Sequence, residues 1–78
     1  MTKSQKLPRL SGKEVVKALS KIGFIATRQK GSHIILKKQT SETTIGVVVP
    51  NHDEVDRGTL LEIIRQARLT KQDFINLI

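Results

Sequence analysis

The chain has 78 residues, no cysteine and a formal charge of +7. That length limits it to one domain, which buries only about 60% of the surface its unfolded chain would expose. The lack of cysteine excludes disulfide staples and thiolate zinc sites. No apolar run reaches membrane-spanning length and no signal-peptide pattern is present, so a soluble protein of the cytoplasm, with no membrane partner, is expected.

Residues 1–9, MTKSQKLPR, are polar and basic and contain Pro8. They read as a flexible lead-in to a single domain over residues 10–78. Ser11 with Glu14 three positions on forms a capping box. A first helix is expected from about Gly12 to Ile22, with Val15, Val16, Leu19 and Ile22 on its apolar face and Gly23 as its stop. Lys13, Lys17 and Lys21 repeat on the opposite face. They form a solvated stripe unless that face adjoins a site.

Two β-rich runs follow, FIATRQK and HIILKK, joined by Gly31-Ser32. A Gly-X pair between such runs predicts a tight type II′ hairpin. In that register Lys30 faces His33 and Arg28 faces Ile35. His33, Lys30, Arg28 and Lys37 then share one face, and Ile25, Thr27, Ile34 and Leu36 take the other, toward the helices. A third strand, TTIGVVVP, ends at Pro50. Helix two starts between Asp56 and Thr59, both capping residues, with Thr59 and Glu62 as a second box. Leu60, Ile63, Ile64 and Ala67 form its buried face. Thr70 and Asp73 cap a short last helix anchored by Phe74, Leu77 and Ile78. The expected fold is α+β, in the order α-β-β-β-α with a final helical turn. It is that of double-stranded-RNA-binding domains, a three-stranded antiparallel sheet with the helices on one face.

The charge is segregated. Residues 1–38 hold ten basic groups and one acid, Glu14, while residues 39–78 hold four basic groups and six acids. A positive half of this kind attracts polyanions, because neutralised phosphates release condensed counterions. Two Phe and no Tyr or Trp leave no stacking platform for single strands. His52 with Asp53, Glu54 and Asp56 raises the question of a metal. The spacing matches no calcium loop, however, and acids at a helix start are favoured by the helix dipole alone, so neither metal nor cofactor is expected.

His33 stands at the mouth of a strand among Arg28, Lys30 and Lys37. Cations beside an imidazole disfavour its charged form. A neutral imidazole can accept a proton, and RNA offers one at the 2′-hydroxyl, whose oxygen then attacks the adjacent phosphorus. Lysine and arginine stabilise the charge that develops there. The leaving 5′ oxygen also needs a proton, from a lysine, water or His52. This reading requires His33 on an open, cation-ringed sheet surface. The bland alternative is a turn histidine that only hydrogen-bonds locally.

LSGKEVVKALSKIGF, RQKGSHIIL, VVVPNH and RGTLLEIIRQARLTKQDF, in this order, resemble the HicA (YcfA-like) family of small toxins. The resemblance implies a messenger-RNA-cleaving toxin of a toxin–antitoxin system, paired with a HicB-type antitoxin that covers the active surface. It assigns the catalytic histidine to His33 and matches the family's second histidine with His52. Gly31 and Ser32 match the motif as turn formers, Ser32 having an alternative use as a phosphate donor. Arg68 stands where the family pattern has Gly, which is expected to change the stop of helix two. The expectation is thus a metal-independent endoribonuclease, a monomer when free, with His33 as base and Arg28, Lys30, Ser32 and Lys37 on RNA phosphate. Two rivals are a non-catalytic RNA- or DNA-binding module and an interaction domain with no nucleic-acid role.

Overall fold

The structure, a computed structural model, describes residues 6–78. Residues 1–5 of the expected lead-in lie outside them. Three helices and three strands follow one another: α1 (Gly12–Ser20), β1 (Ile25–Lys30), β2 (His33–Gln39), β3 (Thr44–Pro50), α2 (Arg57–Gln66) and α3 (Lys71–Ile75). The strands form one antiparallel sheet in the order β1-β2-β3. This is the α+β, double-stranded-RNA-binding-like arrangement that the order of elements predicts.

Local chemistry starts each helix. The Ser11 hydroxyl accepts from the Glu14 N–H at 3.1 Å and the Glu14 carboxylate accepts from the Ser11 N–H at 2.8 Å. Thr70 and Asp73 make the same reciprocal pair at 3.0 Å in each direction. Helix α2 corrects its expectation. Asp56 alone is the cap, accepting from the Thr59 N–H at 3.1 Å and the Thr59 hydroxyl at 2.7 Å. Thr59 is therefore a donor inside the first turn, and Glu62 turns away to Arg65 and Gln66.

The helix ends differ from the sequence reading in an informative way. α1 ends at Ser20, short of Ile22. The Gly23 N–H donates to the Ser20 carbonyl at 3.2 Å and the Phe24 N–H to the Leu19 carbonyl at 3.3 Å, with Gly23 at φ +102°. This is the Schellman pattern that uses up the last carbonyls of a helix. The same pattern closes α2. The Arg68 N–H reaches the Arg65 carbonyl at 3.0 Å and the Leu69 N–H the Ile64 carbonyl at 3.1 Å, with Arg68 at φ +62°. Arginine in place of glycine does not change the stop, contrary to expectation. It is held in a left-handed conformation that disfavours residues bearing a Cβ.

One cluster forms the core: Val15, Ala18 and Leu19 of α1, Leu36, Ile45, Val47 and Val49 of the sheet, Leu60, Ile63 and Ile64 of α2, with Leu10, Phe24, Val55, Ala67 and Phe74. Each Val, Leu, Ile or Phe side chain buried this fully contributes roughly 1.5–3 kcal/mol. Ile78, expected as an anchor, is 48% exposed, while Phe74 is sealed. Leu7 also packs partly against the core, and Leu10 pairs with Val55 in an isolated bridge.

The β1–β2 hairpin turns on Gly31, whose φ of +60° is the positive angle a type II′ turn needs at its first central position. Lys30 faces His33 and Arg28 faces Ile35, as expected. Between Ala26 and Arg28 the register slips by one residue, so Ile25 faces Lys37 and Ala26 faces Leu36. The bulge reverses the face on which Ile25 lies, because side chains alternate along a strand. Ile25 is therefore 67% exposed instead of inside. Thr27, also expected inside, is exposed at the bulge and gives its hydroxyl to the Ile35 carbonyl at 3.3 Å. No residue of β1 is buried, because α1 and α2 pack over β3 rather than over this edge strand.

Candidate active site

His33 is the first residue of β2. It is exposed, and its Cα partner across the sheet is Pro50, the last residue of β3. The residues that share its face are Arg28, Lys30, Ile35 and Lys37, together with Gly46 and Val48 of β3. The side of the sheet away from the helices thus carries the histidine and three cations in one field, as the register predicts. Ser32 is in the turn, exposed, and its carbonyl accepts from the Asn51 N–H at 2.6 Å.

That bond fastens the end of β3 to the hairpin. The next residue is fastened from the other side, since the His52 carbonyl accepts from the Gly12 N–H at 2.9 Å. Val55 then donates to the Leu10 carbonyl at 2.7 Å. His52 is consequently held beside His33, two residues beyond the position that pairs with it. His33 and His52 both line one groove of about 330 Å³, whose other walls are Val48, Pro50, Asp56, Thr59, Glu62, Ile63 and Gln66. Neither ring has a hydrogen-bond partner among the described residues.

The α2 wall is already committed. The Gln66 Oε1 accepts from the Val48 N–H at 3.2 Å, at the edge of β3 that no strand among the described residues covers. The Gln66 Nε2 donates to Glu62 at 3.3 Å, and Glu62 also accepts from the Arg65 guanidinium. That guanidinium bond holds the Glu62 carboxyl below its ordinary range, with Gln66 adding to the effect. The Asp56 carboxyl is likewise held low, first by the Thr59 hydroxyl and then by the Thr59 N–H. Both remain anions near neutral pH, with their oxygens in use.

The groove adds to the expected surroundings of His33. Arg28, Lys30 and Lys37 share its face but do not line the groove, and the groove's opposite wall is anionic. The cations come from β1 (Arg28, Lys30) and β2 (Lys37) on that face. The lysine stripe of α1 is elsewhere. Lys17 and Lys21 line a separate groove with Leu77 and Ile78, and Lys21 Nζ donates to the Leu77 carbonyl at 2.7 Å. Among the described residues, no three His, Asp or Glu side chains stand close enough together to hold a metal ion, and no helix is long and apolar enough to cross a membrane.

The sequence reading takes Thr59 and Glu62 as a capping box and Ile63 as core, and misses Gln66. The three- and four-residue spacing that puts all four on one helical face is the signal that could have found this wall. The family model described as the HicA toxin of bacterial toxin–antitoxin systems matches residues 12–69. No curated protein matches the chain.

Proposed function

Because the chain belongs to the HicA toxin family, we propose that it cleaves messenger RNA without a metal or cofactor, using His33 as general base. The observation that carries this reading is the exposed His33 ring, uncommitted at the mouth of a groove and on one sheet face with Arg28, Lys30 and Lys37. The ring takes the 2′-hydroxyl proton, and the 2′ oxygen attacks the neighbouring phosphorus. A positioned base of this kind is worth about 10²–10⁴-fold in rate. The three cations hold the flanking phosphates and offset charge growing on the phosphoryl oxygens. The Ser32 hydroxyl, exposed in the turn, is a further phosphate donor. The anions Asp56 and Glu62 of the opposite wall keep the flanking phosphates toward the three cations, with the scissile bond at the groove beside His33.

A HicB-type antitoxin would silence such a site by covering this face. An acidic surface complements the positive half of the chain, and occlusion of His33 completes the block. The free protein acts as a monomer in the cytoplasm in this reading, as a single domain over residues 10–78.

The test is His33→Ala, assayed on RNA in excess chelator beside the wild type. The expected result is loss of cleavage with the circular dichroism spectrum and antitoxin binding retained. Unchanged cleavage by the variant refutes the assignment. Intact RNA with the wild type, together with tight, salt-sensitive binding, would instead favour a non-catalytic nucleic-acid-binding module.

A further inference from the structure

We infer that His52 is the general acid of this cleavage, giving a proton to the departing 5′ oxygen while His33 accepts the proton of the 2′-hydroxyl. The inference rests on the ribonuclease reading above. It is carried by one juxtaposition: two histidines whose rings have no hydrogen-bond partner among the described residues, from two different segments, line the same groove.

The other polar groups of that groove are accounted for. Asp56 and Thr59 are bonded to each other, and Glu62 and Gln66 are bonded to each other, to Arg65 and to the Val48 N–H. Both carboxyls are held as anions, so neither has a proton to give near neutral pH. Imidazole is the side chain that can both give and accept a proton in that range. The groove, at about 330 Å³, is within the size class of small-ligand sites.

His52 is also positioned rather than loosely tethered. The backbone of Asn51 is bonded to the Ser32 carbonyl at 2.6 Å and that of His52 to the Gly12 N–H at 2.9 Å. Two fixed points, one on the hairpin that carries His33 and one on α1, set the segment between them. A catalytic group must hold its place for its proton to be delivered in line.

The step balances. The 2′-O–H bond breaks and its proton goes to the neutral His33 ring. The 2′-O–P bond forms as the P–O5′ bond breaks, and the proton on the His52 imidazolium goes to the 5′ oxygen. The products are a 2′,3′-cyclic phosphate and a free 5′-hydroxyl. His33 ends protonated and His52 neutral, and exchange with water restores both.

The experiment uses one RNA oligomer in two forms, with an ordinary 5′ oxygen or with a bridging 5′ sulfur at the scissile bond. A thiolate departs without help, because a thiol ionises near pH 8.5, about the value of the cysteine side chain. His52→Ala, with His52→Gln as a second variant that keeps more of the side-chain volume, is expected to lose about 10²–10⁴-fold on the oxygen substrate. Each should cleave the sulfur substrate nearly as the wild type does. His33→Ala is expected to lose activity on both. Equal loss on both substrates in a folded His52 variant, or loss on neither, overturns the acid role and leaves the base intact. If His33→Ala cleaves both substrates normally, or the wild type cleaves neither, the ribonuclease reading falls and the acid falls with it.

Discussion

The Gly12 N–H donates to the His52 carbonyl at 2.9 Å, which brings the first residue of α1 against the segment that ends β3. The approach is close enough that a Cβ on Gly12 would run into the Pro50 carbonyl oxygen and come within 2.9 Å of the Asn51 Cα. Those obstacles are backbone atoms and cannot swing aside. Gly12→Ala should therefore lower stability by about 1–3 kcal/mol, the usual range for overpacking. In a domain of this size each kcal/mol moves the melting temperature by roughly 4–8 °C. The displaced segment carries His52, so the imidazole resonances of His52 should shift more than those of His33. A melting temperature within a degree of the wild type would show that the helix start can yield at no cost.

Arg68→Gly should stabilise the protein. The left-handed conformation costs a residue with a Cβ about 1–2 kcal/mol, and glycine gives back roughly 0.5–1 kcal/mol through its freer unfolded chain. The balance is a gain of up to roughly 1.5 kcal/mol, read as a higher urea midpoint with an unchanged slope. A lower midpoint would mean that the arginine makes contacts worth more than its backbone strain.

Removing cations from the open sheet face should reduce the salt dependence of RNA binding. Each phosphate contact contributes about 0.7 to the slope of log affinity against log salt for a single strand. Arg28→Gln, Lys30→Gln and Lys37→Gln should each flatten that slope by about this amount. Lys17→Gln, beside Leu77 and Ile78 on the helix side, should leave it unchanged. Equal effects at all four positions would point to diffuse attraction by net charge rather than to a binding face.

Acid should weaken the fold through α2. Thr59 holds Asp56 below the ordinary 3.8, and Arg65 holds Glu62 below the ordinary 4.5. Carboxyls whose pKa is depressed by folding contribute stability above their unfolded values, and that stability is lost as pH falls through the depressed ones. The urea midpoint should accordingly decline once the pH drops below about 4.5, toward and past 3.8. Asp56→Asn keeps a capping side chain and removes the charge, so its decline should be shallower. Both groups are at the surface, and added salt should damp the effect. Identical pH profiles for wild type and variant would show that the cap charge contributes nothing.

Much of the site was legible because the relevant chemistry is local. Gly31-Ser32 between two β-rich runs set the hairpin, and the hairpin set Lys30 opposite His33. One error and one omission have separate causes. The exposure of Ile25 follows from a bulge next to Thr27, and a bulge leaves no mark in a pattern of alternating residues. The ring of cations around His33 was inferred from neighbours in the chain, whereas the groove wall comes from α2, far along it. The helix-two cap was narrowed to Asp56 or Thr59 but not resolved, because either side chain can reach the backbone N–H groups that need a partner.

The sequence by itself determined the elements, the capping boxes at Ser11 and Thr70, the stop at Gly23, the face that carries His33 with its cations, and the family to which those motifs belong. Hydrogen bonds spanning three to five residues and the periods of helix and strand decide such things within a few residues of each position. Only the tertiary structure decided that His52 stands beside His33 and that Asp56, Glu62 and Gln66 wall the same groove. That outcome depends on α2 lying along the uncovered edge of β3 and on backbone bonds from Asn51 to Ser32 and from Gly12 to His52. These join segments distant in sequence, and no local pattern records a contact that exists only once the core has closed.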